Sequence, residues 1–191
     1  MISIEEAIQA IDDGKIIIYP TDTVWGMGCN PFNENAVNEL FQIKGKKKEG
    51  LSIILNCKEQ INEYCVTNQI IDNIIDNFLP GPITLILKSK KTFAKGVTRN
   101  GNIGVRIPEH KTSISLTEKK PLVTTSVNKH GKKIAKNLEE AKIIFGSQCL
   151  YIEGEEPEGI ESTIIDLTKN KPEIKRIGAL YSTILEGIIE S

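Results

Sequence analysis

Ile4, Ala7, Ile8 and Ile11 recur at the three- and four-residue spacing of a helix face. Ser3 and Glu6 precede and overlap that run at the spacing of a capping box, and Gly14 supplies a stop. The chain is therefore predicted to open on an amphipathic helix. The period then changes. Lys15–Tyr19 is a β-branched run that reads as a buried strand ending at Pro20, and a polar loop follows. Asn33 is placed to cap a second helix that turns Ala36, Val37, Leu40 and Phe41 inward, ahead of a basic loop at Lys44–Lys48 and a strand at Leu51–Leu55. Asn68–Phe78 puts Ile70, Ile71, Ile74, Ile75 and Phe78 on one helical face, and Pro80-Gly81-Pro82 closes it before a strand at Ile83–Leu87. Further strands are predicted at Ile103–Ile107, Leu122–Ser126, Cys149–Glu153, Thr163–Leu167 and Glu173–Ile177, with a short helix at Leu138–Ile144 and a last one at Ser182–Ile189. This order is too irregular for a βαβ repeat. It reads as an α/β chain with a mixed parallel and antiparallel sheet flanked by helices.

Composition narrows the reading. With 191 residues and 39% hydrophobic content the chain can bury a core of its own, and no repeat, low-complexity tract or linker divides it, so 1–191 is expected to be one domain. Charged residues make up 26% and the formal net charge is −1, which excludes a disordered chain and a generally basic nucleic-acid-binding face. Any phosphate site must be a local cluster. Cys29, Cys57, Cys65 and Cys149 show no CxxC pairing, and His110 and His130 lie far from them in sequence, so no zinc site is expected. Reduced thiols in a cytoplasmic protein fit better. Met1 leads straight into the first helix without the basic and apolar regions of a signal peptide, and no apolar run approaches the ~20 residues that span a membrane.

Five segments carry candidate chemistry. Tyr19-Pro-Thr-Asp-Thr-Val-Trp-Gly-Met-Gly28 is a hydroxyl-rich loop leaving a strand and running into paired glycines, which let backbone approach a ligand. A turn whose Thr and Asp side chains bond nearby backbone explains the same residues. The dinucleotide fingerprint is broken by Pro31, and no Walker loop is present. Lys44, Lys46, Lys47 and Lys48 surround Gly45 between a helix and a strand, where loops present ligand groups, although a lysine run also serves as a solvated face. Gly104-Val-Arg106-Ile-Pro108 sets an arginine inside a β-branched run, so Arg106 must face an acidic side chain or an anionic ligand. Strand alternation puts Thr124, Ser126 and Asn128 on one face at a strand end, turned either to a ligand or to water. Gly159-Ile-Glu-Ser162-Thr163-Ile-Ile-Asp166, followed by Arg176 and Gly178, offers hydroxyls and backbone N–H groups to an anion, or forms an ordinary hairpin.

Together and in this order, the PTDTVWGMG, GVRIP, SVN and GIESTIID segments resemble the YrdC-type threonylcarbamoyl-AMP synthases, over about Ile4 to Gly178. The resemblance implies a YrdC/RibB-like fold, a twisted mixed sheet with helices around a concave cavity, in the short form without a carboxy-terminal extension. It implies synthesis of threonylcarbamoyl-AMP and pyrophosphate from L-threonine, bicarbonate or CO₂, and ATP, for the N6-threonylcarbamoyladenosine modification of tRNA. Thr23, Arg106, Thr124 and Ser162 would then hold threonine. Lys44, Lys46, Gly50, Asn102, Ser126, Asn128 and Arg176 would hold ATP, with Mg²⁺ riding on the phosphates rather than in a protein cage. No side chain is singled out as a general base. The expected partners are tRNA and the downstream threonylcarbamoyl-transfer proteins. The chain departs from the family pattern where Lys44-Gly-Lys46-Lys47 and Gly50-Leu51-Ser52 replace a Lys-x-Arg followed by proline and then a His- or Asn-Pro-Leu stretch. Lysine keeps the charge there and loses the bidentate fork. The alternative is a non-catalytic module that binds tRNA or double-stranded RNA through Lys44–Lys48 with Lys129, Lys132, Lys133 and Lys136.

Overall fold

The computed structural model describes residues 1–45 and 50–180. The first helix, α1 (Ile4–Asp12), carries the capping box read from sequence: the Ser3 hydroxyl accepts from the Glu6 N–H and the Glu6 carboxylate accepts from the Ser3 N–H. In α2 (Glu34–Lys44) the Asn33 side chain accepts from the N–H groups of Asn35 and Ala36, and Gly45 ends the helix at φ 64. The remaining helices are α3 (Lys58–Tyr64), α4 (Gln69–Phe78), α5 (Lys111–Leu116) and α6 (Leu138–Phe145), the last followed by a 3₁₀ turn.

The strands are β1 (Ile17–Tyr19), β2 (Gly26–Gly28), β3 (Ser52–Ile54), β4 (Ile83–Lys88), β5 (Asn102–Arg106), β6 (Leu122–Ser126), β7 (Leu150–Tyr151), β8 (Thr163–Asp166) and β9 (Glu173–Arg176). They form one mixed sheet in the order β7-β1-β2-β6-β3-β5-β4-β8-β9. The β1/β7, β3/β5 and β4/β8 pairs are parallel, and the others are antiparallel.

Strand alternation divides the sheet into two faces with different fates. Ile53, Ile83, Leu85, Leu87, Ile103, Val105, Val123 and Ile165 pack against Val37, Leu40 and Phe41 of α2 and Ile71, Ile74 and Ile75 of α4. On the opposite face, Ile17, Tyr19, Ile54 and Leu122 are covered by Ala7 and Ile11 of α1 and Leu116 of α5. That cover stops part-way. Beyond it lie paired positions without large side chains: Ser52 opposite both Gly104 and Thr124, and Gly26 opposite Ser126. The gap is built into the sequence.

The sequence reading and the structure differ at four places. Gly26–Gly28 is a strand between β1 and β6, because backbone pairing on both sides outweighs weak glycine propensity. Helices α3 and α5 are short, and their few inward residues give no clear period. The strand expected at Cys149–Glu153 shrinks to Leu150–Tyr151. Ile70 remains 48% exposed, since α4 packs through Ile71, Ile74 and Ile75. The helix expected at Ser182–Ile189 lies outside the described residues.

Candidate active site

The uncovered part of the sheet floors a cavity of about 860 Å³. Four of the five segments singled out above contribute to its walls, alongside residues that none of them contains. The β1–β2 loop contributes Thr21, Thr23 and Trp25, β3 and β6 contribute Ser52, Thr124 and Ser126, and β5 contributes Asn102, Gly104 and Arg106. The far wall is Glu161, Ser162, Asp166 and Arg176 on β8, β9 and the chain leading into them. Glycine at 104 is needed for close approach: a Cβ there would lie 2.3 Å from the Ser52 hydroxyl oxygen.

Arg106 organises one corner. Its Nη1 donates to Thr23 Oγ1 at 2.6 Å, its Nη2 to Asp22 Oδ1 at 2.5 Å and its Nε to the Gly81 carbonyl at 3.3 Å. Both sequence alternatives hold, because Arg106 has an acidic partner and also lines the cavity. Burial pulls its pKa below the ordinary value, against the pull of Asp22. Burial pushes the neighbouring Tyr19 phenol upward, with the Thr124 hydroxyl opposing.

The β1–β2 loop is held from within and from outside. Thr21 Oγ1 donates to the Val24 carbonyl at 2.7 Å and accepts from the Thr23 and Val24 N–H groups. The local turn and the cavity wall are therefore the same residues. The segment leading to β8 crosses over the loop: the Gly159 N–H donates to the Thr23 carbonyl at 2.7 Å, and Trp25 Nε1 donates to Glu156 Oε2 at 3.1 Å.

On the far wall, Ser162 and Thr84 share a hydroxyl pair at 2.9 Å. Arg176 donates through Nε to the Ser162 carbonyl at 3.0 Å, through Nη2 to Ser162 Oγ at 3.2 Å and through Nη1 to Glu161 Oε1 at 2.6 Å. One hydroxyl thus joins the side of the cavity expected to hold threonine to an arginine expected to hold ATP.

Of the residues expected from sequence, Thr23, Arg106, Thr124, Ser162, Gly50, Asn102, Ser126 and Arg176 share this cavity. Lys44 and Asn128 stand behind its wall. Lys44 is only 3% exposed, and its Nζ donates to the Ser126 carbonyl at 2.6 Å and to the Asn128 carbonyl at 3.0 Å. Lys46 lies outside the described residues. Sequence reasoning missed Asp22, which the buried Arg106 demanded as a partner, along with Thr84, Arg99, Lys169 and Lys175 on the wall.

Residues 9–178 match the Sua5/YciO/YrdC family, described under the heading of telomere recombination. The chain belongs to that family. It is 32% identical over 186 residues to a threonylcarbamoyl-AMP synthase of Pyrococcus abyssi, an alignment covering 94% of the chain and 55% of that protein. It is 40% identical over 133 residues to a putative threonylcarbamoyl-AMP synthase of Methanocaldococcus jannaschii, covering 69% of the chain and 63% of the relative. The solved structure of Pyrococcus abyssi Sua5 complexed with L-threonine superposes with a TM-score of 0.89 at 31% identity, over 97% of the chain and 57% of Sua5. Escherichia coli YciO superposes with a TM-score of 0.85 at 26% identity, over 92% and 89% of the two chains. The chain thus spans little more than half the length of the Pyrococcus relative.

Proposed function

We propose that this chain is an L-threonylcarbamoyladenylate synthase, a nucleotidyltransferase that makes threonylcarbamoyl-AMP and pyrophosphate from L-threonine, bicarbonate or CO₂, and ATP. The observation that carries the reading is the Arg106–Thr23 corner, a buried cation and hydroxyl 2.6 Å apart on a wall of a cavity wide enough for more than one small ligand. The synthase names of its relatives and the L-threonine complex of Pyrococcus abyssi Sua5 support it. The product would serve the threonylcarbamoyl modification of tRNA in the cytoplasm, through downstream transfer proteins. No helix among the described residues is long and apolar enough to cross a membrane. The reading treats 1–191 as one YrdC-like domain.

In this reading Arg106 faces the threonine carboxylate, and the hydroxyls of Thr23, Thr124 and Ser162 orient the amino acid. Its neutral amine adds to CO₂ and releases a proton to water, giving a carbamate. A carbamate oxygen then attacks the α-phosphorus of ATP, and the bond to pyrophosphate breaks. Ser126, Asn102, Gly50 and Arg176, which line the cavity, would contact the nucleotide, while Lys44 and Asn128 would shape the wall from behind. Positioning and directed hydrogen-bond donors would supply the catalysis, and binding within the cavity would limit the access of water to a labile carbamate. Mg²⁺ carried on the nucleotide would offset part of the phosphate charge. The wall carboxylates Glu161 and Asp166 are engaged by Arg176 and by Thr168 and Lys175, which fits a metal carried on the nucleotide.

Two cations of the RNA-binding alternative are engaged by the protein itself. Lys44 holds the Ser126–Asn128 turn, and Lys129 donates to the Ile43 carbonyl at 2.5 Å while sitting 4.8 Å from the Phe145 ring centroid. Incubation with ATP, threonine and isotopically labelled bicarbonate, followed by mass spectrometry, tests the proposal. Labelled threonylcarbamoyl-AMP is expected, with pyrophosphate release that requires all three substrates. Pyrophosphate release indifferent to threonine overturns it.

A further inference from the structure

The turn before β5 sets one arginine apart from the other cations around the cavity. Asn100 and Gly101 have φ of 52° and 76°. These are the paired positive values of a two-residue I′ hairpin, for which Asn-Gly is the favoured sequence. Arg99 and Asn102 close the turn by exchanging both backbone hydrogen bonds, each at 2.9 Å. Residues paired in this way stand opposite one another with their side chains on the same face of the ladder. Asn102 shares its face with Gly104 and Arg106, the face that floors the cavity, and Arg99 lines the cavity beside it. Gly50 passes close by: a Cβ at that position would lie 3.1 Å from Arg99 Cβ.

Charge balance completes the argument. Every other cation on the described wall already has a carboxylate: Arg106 has Asp22 at 2.5 Å, Arg176 has Glu161 at 2.6 Å, Lys169 has Glu173 at 2.5 Å, and Lys175 has Asp166 at 3.8 Å as well as Glu173. Those pairs present hydrogen-bond donors with little net charge. Arg99 is exposed, and no carboxylate among the described residues lies within ion-pair distance of it. A triphosphate needs uncompensated positive charge, and a guanidinium supplies it with a planar fork matched to phosphate oxygens.

We propose that Arg99 is a polyphosphate contact of this cavity, engaging the β- and γ-phosphates of ATP and the pyrophosphate that leaves. The assignment deepens the synthase reading and rests on it for the identity of the nucleotide. The hairpin fixes the backbone of Arg99 while its side chain stays free to follow the leaving group. Because Arg99 is exposed and has no side-chain partner among the described residues, its substitution leaves the fold intact.

Calorimetric titration of the wild-type chain, Arg99→Gln and Arg99→Lys with ATP, AMP, inorganic tripolyphosphate and L-threonine tests it. Arg99→Gln is expected to weaken ATP and tripolyphosphate about tenfold or more, from the loss of charged hydrogen bonds. AMP and threonine should stay within about twofold, and Arg99→Lys should fall between on the phosphate ligands, keeping charge without the fork. Equal affinity of wild type and Arg99→Gln for ATP and tripolyphosphate overturns the assignment. The outcome separates from that of the reaction itself. A wild type that makes threonylcarbamoyl-AMP together with an Arg99→Gln variant of unchanged ATP affinity removes Arg99 and leaves the synthase. Arg99-dependent polyphosphate binding by a chain that makes no threonylcarbamoyl-AMP keeps Arg99 and removes the synthase.

Discussion

Nη2 of Arg106 donates to Oδ1 of Asp22 at 2.5 Å, and the two side chains are only 7% and 16% exposed. The pair fixes the guanidinium before any ligand arrives, leaving its remaining N–H groups as donors to the cavity. Removing one partner of such a pair strands the other in the interior. Asp22→Ala should therefore lower unfolding free energy by about 3–5 kcal/mol. Asp22→Asn, which can still accept from Nη2, should lose less. Denaturant titration of both variants checks the order, and a smaller loss for Ala than for Asn would show that the ion pair does not hold this corner.

Arg106→Lys keeps the charge but cannot reproduce donation to Thr23, Asp22 and Gly81 from one planar group. Steady-state kinetics of the variant should show the KM for threonine raised about 10- to 100-fold, with the KM for ATP within about twofold. An effect falling equally on both substrates would argue that Arg106 supports the fold rather than threonine.

Much of this site was readable from sequence. The β-branched surroundings of Arg106 demanded a buried arginine with an anionic partner, and the alternation of Thr124 and Ser126 put both on the cavity face. Asn128 falls past the end of β6, where alternation no longer applies, and its carbonyl turns to Lys44 instead. Lys44 reads as a surface cation because nothing local announces the distant carbonyls that bury it. Arg99 had a usable signal that went unread: the Asn-Gly turn fixes its register opposite Asn102 and hence its face. Strand β2 and helices α3 and α5 were hidden for a simpler reason, being specified by their tertiary neighbours more than by their own period.

Gly104→Ala tests the close approach of β3 and β5. Its Cβ would meet Ser52 Oγ at 2.3 Å and Thr84 Cγ2 at 3.3 Å. Overpacking of this kind costs about 1–3 kcal/mol. Adding Ser52→Ala removes the nearest atom but leaves a 3.1 Å contact with the residue 52 Cβ, so thermal melts should show partial recovery in the double variant. No recovery would place the strain elsewhere.

Alkaline stability follows from three buried thiols. Burial pushes Cys29, Cys65 and Cys149 each up to about 12. In the unfolded chain a thiol loses its proton near about pH 8.5. The folded state then binds more protons than the unfolded state between those limits, so stability is fully present below about pH 8.5 and falls as pH rises toward 12. Urea midpoints measured from neutral to alkaline pH should decline, and replacing all three cysteines by alanine should flatten that decline while lowering stability at neutral pH. In native protein near neutral pH, iodoacetamide should label the half-exposed Cys57 well before the other three.

Lys44 offers the sharpest test of how the wall is built. Its ammonium is buried and donates to the Ser126 carbonyl, the Asn128 carbonyl and Asn128 Oδ1, while Asn128 Oδ1 also accepts from Ser126 Oγ at 2.9 Å. In the proposed reading, a lysine in that position would act on the nucleotide by holding Ser126, which lines the cavity, rather than by touching phosphate. Lys44→Met leaves three acceptors short of a charged donor, with an expected loss of about 1.5–3 kcal/mol of stability. It should also raise the KM for ATP while leaving the KM for threonine unchanged. Asn128→Ala removes part of the same network, so the two substitutions should be strongly non-additive in ATP KM, with the double variant little worse than Lys44→Met alone. Additive effects in the double-mutant cycle would mean that Lys44 reaches the nucleotide independently of the Ser126–Asn128 turn.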